Sequence, residues 1–333
     1  MDWLRNYGAW NCHHRPDGIA ERESILNSIR AFMPAVLFLI LLQGAMVSAD
    51  ELTLKVGAGT VFVNRADSLW GEGEKNIRSL SAKPSTTTWI SPFPNLEASY
   101  LKSDTKTEYY IGTQADEPGT LTAGFEKKFS ASSSFDLYGF YSLMEHQWEN
   151  PYVLNREQTT TWEYGLKATY ENIEDSHINV SYKLSITELN NDVIGRLYPD
   201  LQRFGSSHAA SVSYQIQPFL APGISYERGA FKGKSNSYNS FELFLDLQYA
   251  SGDLALGSHL FLKNAQFDKV HPIFLKRRDE STYGMSVTGT VARPLKLKNY
   301  SLIVGAEAIQ SKANIDFFTQ RGITGFISFE YSF

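Results

Sequence analysis

The chain has 333 residues, 42% hydrophobic, 14% aromatic and 20% charged, with a formal net charge of −5. Its 31 basic and 36 acidic residues exclude a nucleic-acid surface, and its single cysteine excludes a disulfide scaffold or a cysteine-based zinc cluster. A mean hydropathy of −0.28 excludes a bundle of membrane helices. It does not exclude a membrane β-barrel, whose strands are apolar on one face only.

Residues 31–42 read AFMPAVLFLILL, follow Arg30 and precede QGAMVSADE. A positive flank, a short apolar core and small residues at −3 and −1 describe a secretory signal peptide. Val47 and Ala49 take those two positions, so the mature chain is expected to begin at Asp50. The other reading is an uncleaved anchor over 31–49, which Pro34, Gln43, Gly44 and Ser48 weaken. Removing 1–49 takes four basic residues (Arg5, Arg15, Arg22, Arg30) and four acidic ones (Asp2, Asp17, Glu21, Glu23), so the net charge stays at −5. Cys12 leaves with them, so no lipid-accepting cysteine follows the apolar core. The expected organisation is a leader over 1–49 and one domain over 50–333.

From Asp50 onward the dominant period is two. Trp162, Tyr164, Leu166, Ala168 and Tyr170 share one face, with Glu163, Gly165, Lys167 and Thr169 on the other. Ile178, Val180, Tyr182, Leu184 and Ile186 repeat the pattern, as do Ala210–Ile216, Phe241–Tyr249, Tyr283–Val291, Leu302–Ala308 and Ile323–Phe333. The pattern predicts 14 strands, starting near residues 52, 95, 107, 120, 135, 160, 177, 207, 222, 239, 254, 282, 299 and 322. Twelve or sixteen would follow if one hairpin were misread. Short connections (103–106, 130–134, 172–176, 217–221, 250–253, 294–299) alternate with mostly longer ones at 65–94, 145–159, 188–206, 266–281 and 311–321. Such alternation predicts an all-β fold, a single transmembrane antiparallel up-and-down β-barrel with two unlike rims. Pro84, Pro92 and Pro94 are expected to stiffen the loop 65–94.

A soluble sandwich alternates too, but three features favour lipid. The apolar face is almost free of charge. Aromatics recur near segment ends, and Trp162 to Tyr170 spans roughly 20 Å along the membrane normal after tilting, which suits two interfacial girdles. The chain ends GFISFEYSF, which resembles the C-terminal assembly signal of bacterial outer-membrane proteins, with Phe329, Tyr331 and Phe333 outward and Phe last. Ser328 stands where that signal usually has glycine. The stretches SPFPNLEASYL, WENPYVLNREQT and NNDVIGRLYPDLQRFG resemble a bacterial outer-membrane barrel family of uncharacterised function. The resemblance implies location and fold, with outer-membrane lipid and the barrel-assembly machinery as partners. It implies nothing about substrate.

No HExxH, no closely spaced histidine pair and no phosphate-binding loop occurs, so neither metal nor cofactor is expected. Ser206 and Ser207 beside His208 suggest a hydrolase only superficially, because neighbours in a strand point to opposite faces. The inward face offers Glu126, Lys128, Asp136, Glu163, Lys167, Lys183, Glu242, Asp246, His259, Lys263, Glu307 and Glu330 as lumen-lining candidates. Either they pair across the lumen of a plugged barrel, or they line a water-filled passage with no single-sign ladder. Two long loops carry Asn150, Tyr152 and Arg156, and Asp192, Arg196 and Arg203. These residues either order a cap or fold inward as a constriction. The expected function is a passive or substrate-selective channel for small solutes and not an enzyme. The alternative is a closed barrel with a surface-structural, adhesive or partner-binding role.

Sequencing the N-terminus of the membrane-extracted protein should give Asp50. Recovery of a chain that keeps residues 31–49 would overturn the signal-peptide reading.

Overall fold

A computed structural model describes residues 51–113, 119–142 and 145–333; the expected leader and its cleavage point fall outside the described residues. Fifteen strands form one antiparallel sheet. The first seven are β1 (Glu51–Ala66), β2 (Thr86–Lys102), β3 (Thr107–Thr113), β4 (Thr120–Lys128), β5 (Ser134–Ser142), β6 (Glu145–Trp148) and β7 (Gln158–Glu171). Then come β8 (Ile178–Leu189), β9 (Gly205–Tyr214), β10 (Leu220–Phe231) and β11 (Tyr238–Ser251). The last four are β12 (Leu254–His271), β13 (Lys276–Ala292), β14 (Tyr300–Ala313) and β15 (Gln320–Ser332).

Apart from β5 and β6, each strand pairs with the next in sequence, and β15 pairs with β1 from Lys55–Ser332 to Ala66–Arg321, so the sheet closes on itself. Both β5 and β6 pair with β7 and form one interrupted stave. Tyr141 faces Tyr164 and Glu145 faces Thr161, so the two segments follow one another along the same partner strand. The result is a closed barrel of 14 staves. Among the described residues no helix is long and apolar enough to cross a membrane.

The polarity is the reverse of a soluble domain. Phe241 and Leu243 are 65% and 61% exposed, while Ser240 beside them is 2% exposed. Apolar residues on alternate positions form the outer surface, and polar residues line the inside. Tyr109, Phe125, Phe135 and Tyr170 follow one another in ring contacts of 6.2 Å around the short-turn end of β3, β4, β5 and β7. At the other end Tyr141 meets Trp162 at 5.7 Å. A closed ladder with an outward apolar band between aromatic girdles is a transmembrane β-barrel, because closure pairs the backbone groups that lipid leaves unsatisfied.

Two expected loops turn out to be partly strand. β2 begins at Thr86, so Pro92 and Pro94 lie within it, opposite Thr60 and Ala58. β3 is short and pairs with β2 only from Glu97 to Lys102. Among the described residues the upper part of β2 therefore has a strand partner on one side only, where a missing N–H is tolerated. Thr113 Oγ1 finishes that edge, accepting from Leu96 N at 2.9 Å and donating to the Pro94 carbonyl at 3.4 Å. The expected loop 266–281 shrinks to 272–275, because β12 and β13 run on past a register shift between Gln266 and Val270. That shift breaks the alternation on which the sequence reading depends.

Leu184→Arg should destabilise the barrel by about 2–4 kcal/mol, since it puts a charge into the outward band. Lys183→Leu, on the inner face, should cost at most about 1 kcal/mol, since it gives up a partly exposed ion pair. Heat-modifiable gel mobility and urea unfolding in bilayers compare the two. Equal effects would contradict the assignment of faces.

Candidate functional site

The strand registers place all twelve lumen candidates on the inner face. Glu330 lies opposite Gly57, Glu307 opposite Ser286, His259 opposite Asp246, and Lys263 opposite Glu242. Lys183 lies opposite Lys167, Glu126 opposite Asp136, Lys128 opposite Ser134, and Glu163 opposite Thr187. Some make bonds along the wall. His259 Nδ1 sits 2.6 Å from Asp246, Lys183 lies 3.8 Å from Glu163, and Tyr110 donates to Asp136 at 2.7 Å. Asn95 donates to Glu330, and Lys167 lies 5.8 Å over Tyr138. Glu126, Lys128, Glu242 and Glu307 form no side-chain hydrogen bond or ion pair among the described residues.

Two inner-face pairs were not singled out from sequence. Lys263 Nζ donates to Glu227 at 2.5 Å, and Lys55 Nζ to Glu97 at 2.8 Å. Period two alone would have found Glu227, between the outward residues Tyr226 and Arg228. The inner aromatics were also missed. Phe244 lies over Gly223 and Phe326 over Gly305, so close that a Cβ at either glycine would enter the ring. Phe93 covers Gly59 and Phe261 covers Gly284 in the same manner. These rings cover the bare backbone of glycines on the adjoining strand.

At the long-loop end, six connections are joined into a cap. The β6–β7 loop and the β12–β13 turn are separated by about half the ring of staves, yet Tyr152 reaches from one to the other. Its ring packs against Phe274 at 5.8 Å, Phe317 at 5.2 Å and His271 at 5.0 Å. Leu69, Ile77 and Leu80 of the β1–β2 loop close over the same cluster of Ile315, Phe317 and Phe318. Arg278 is sandwiched beneath it, 4.3 Å from the Phe267 ring centre and 4.0 Å from that of Phe318.

The loop candidates hold this cap in place. Arg156 donates to the Ser68 carbonyl at 2.5 Å and to the Glu74 carbonyl, and stacks 4.3 Å over the buried Trp148. Burial pushes its guanidinium down to about 10. Asp192 caps the short helix Val193–Leu197 and accepts from Arg203 Nη2 at 2.8 Å. Arg203 also donates to the carbonyls of Trp148 at 2.7 Å and Glu149 at 2.9 Å. Asn150 accepts from Tyr152 N at 3.0 Å, and Arg196 donates to Asn191 at 2.7 Å. The β8–β9 loop is tied onward to the β10–β11 loop, where Ser235 N donates to the Asp200 carbonyl at 3.0 Å.

Ser206 Oγ lies 3.3 Å from His208 Nε2, and Tyr182 Oη 2.7 Å from His208 Nδ1. The three face outward. The neighbouring backbone N–H groups belong to the sheet ladder, so no pair of them converges on a point where an oxyanion would form. No group of three or more His, Cys, Asp or Glu suited to a metal occurs among the described residues.

His271, at the top of β12 and well above the last outward leucine, stands inside the cap. Its Nδ1 accepts from Ile273 N at 3.3 Å, so Nε2 carries the proton and donates to Tyr152 Oη at 3.0 Å. Burial, with Arg278 adding repulsion, lowers its pKa from the ordinary 6.5 to about 4. The unfolded cap therefore binds the proton first on acidification. The stability contributed by neutral His271 is complete above about 6.5 and is lost as pH falls toward about 4. Limited proteolysis of the cap loops should accelerate across that window, and His271→Phe should flatten the dependence.

A comparison with curated proteins gives no match. Among solved structures, the chain is similar to Pseudomonas aeruginosa OccK7 (OpdD), with 10% identity, a TM-score of 0.36, and coverage of 85% of this chain and 99% of that one. For a Pseudomonas aeruginosa FadL homologue the values are 10%, 0.38, 86% and 90%. For a mutant of the TodX monoaromatic hydrocarbon channel they are 9%, 0.43, 86% and 91%. At such values these likenesses specify no substrate. A family profile matches residues 52–332, nearly all of the described chain, and the protein belongs to that family, DUF2860, described as proteins of unknown function.

Proposed function

We propose that the protein is a bacterial outer-membrane channel for small solutes, closed on its outer side by the loop cap. The single observation that carries this reading is the inner wall. Its aromatic rings lie close over glycines, and charges of both signs stand along it, four of them without partners among the described residues. Fourteen staves enclose more space than the eight-stranded barrels that side chains alone can fill. In such barrels short turns face the periplasm and long loops face outward, so the cap stands at the cell surface. Mixed charges favour weak ion selectivity. The outward Phe329, Tyr331 and Phe333 at the end of β15 suit recognition by the barrel-assembly machinery.

A second reading, a closed barrel with a surface or partner-binding role, rests on the cap itself. Tyr152 joins opposite sides of the mouth, so solute passage requires those contacts to open. Planar-bilayer recording separates the two readings. The intact protein should conduct weakly, and Tyr152→Ala combined with deletion of 72–83 should raise conductance severalfold while the barrel still assembles. The deletion stops short of β2, which begins at Thr86. Silence of both correctly folded forms would overturn the channel reading and leave the closed barrel in its place.

A further inference from the structure

The outer surface of a barrel is ordinarily convex, but here it carries a depression of about 900 Å³ across β11 to β15 and onto β1 and β2. Two neighbouring outward rows line it. One runs from Leu243 through Leu262, Tyr283 and Gln310 to Arg321, each residue register-paired with the next. The other contains Leu260, Met285, Ala308 and Ile323. Ala308, set between larger neighbours, helps to form the hollow.

Because barrel strands tilt by about 35–45°, a cross-strand row climbs through the membrane. Leu262 lies deep within β12, whereas Arg321 is the second residue of β15. The trough is therefore leucine-lined at mid-membrane and ends in an arginine at the long-loop rim. Arg321 is exposed, and one Nη donates to Thr86 at 3.4 Å, its one side-chain hydrogen bond among the described residues. Lys312 faces outward one step above Gln310 on β14, paired with Ser281, and forms no ion pair among the described residues. By register it is the diagonal neighbour of Arg321, roughly 7–8 Å away. Asp279, two residues before Ser281 and on the same face by alternation, lies on the side of Lys312 away from Arg321.

We propose that this trough binds one phosphorylated, acylated lipid of the outer leaflet. An acyl chain lies along Leu262, Met285 and Ala308, and a phosphate is held between Arg321 and Lys312. The complementarity has two parts, an apolar channel of limited width and a pair of cations where a headgroup would stand. The bilayer places such lipids there, and each basic residue at a membrane surface adds attraction for an anionic headgroup. The assignment depends on the long-loop end facing the outer leaflet, not on whether the lumen conducts.

Native mass spectrometry of the mature protein in detergent, titrated with hexa-acylated diphosphoryl lipid A, tests the site. The wild type should retain one lipid. Arg321→Gln with Lys312→Gln should weaken retention roughly thirtyfold, about fivefold per cation. Arg321→Lys should restore most of it. Ala308→Trp, which fills the trough and keeps both cations, should weaken it comparably, whereas Val180→Trp on another outward face should not. Heat-modifiable mobility restricts the comparison to folded variants. Equal retention of dephosphorylated lipid A, or no effect of Ala308→Trp, would overturn the proposal. So would displacement of the lipid by inorganic phosphate alone, or a protein dimer that Ala308→Trp abolishes.

Discussion

Everything in this molecule depends on the closure of one hydrogen-bond ladder. A sheet in hydrocarbon cannot leave an edge, since each unpaired N–H or C=O there costs several kcal/mol. The pairing of β15 with β1 closes the ring and also fixes which side chains face lipid. In that seam Phe329 and Tyr331 point outward, packed on Tyr300 at 5.1 and 4.8 Å, while Glu330 points inward to Asn95. One slipped residue would exchange them and put a carboxylate into lipid.

The closed wall permits an interior that a soluble core would not. Charges stand on the inner face because water or a neighbouring charge can reach them, as with His259 beside Asp246 and Lys263 beside Glu227. Aromatic rings share that face, and glycine on the adjoining strand lets each ring lie against backbone. The place of large and small residues is thereby inverted. Bulky aliphatic side chains cover the outside, and the inner wall alternates flat rings, glycines and short polar groups.

The apolar packing that resembles an ordinary protein core sits above the membrane, in the cap. Ile315, Phe317 and Phe318 gather residues from loops on opposite sides of the ring, and Tyr152 contributes both an aromatic face and a hydrogen bond. Arginines there act as ties to backbone carbonyls, with Arg156 on Ser68 and Arg203 on Trp148 and Glu149. A small buried cluster fastened by such ties is an element that local changes can loosen while the barrel below stays whole. The neutral His271 inside it sets a direction for that loosening with pH.

The sequence by itself determined the number of staves, most of their starts and the face of each side chain, because period two is a local property of a strand. It failed where the period is interrupted. Pro92 and Pro94 suggested a loop because a proline lacks the N–H a ladder needs. Only the short reach of β3, a feature of the neighbouring strand, makes their place in β2 tolerable. The shift between Gln266 and Val270 hid the upper parts of β12 and β13 in the same way. The cap was decided by tertiary structure alone. Tyr152, His271 and Phe317 are far apart in sequence, and nothing in the alternation around any of them records the others. They meet because closing the ring brings opposite loops over one mouth, and burying their rings together removes apolar surface from water.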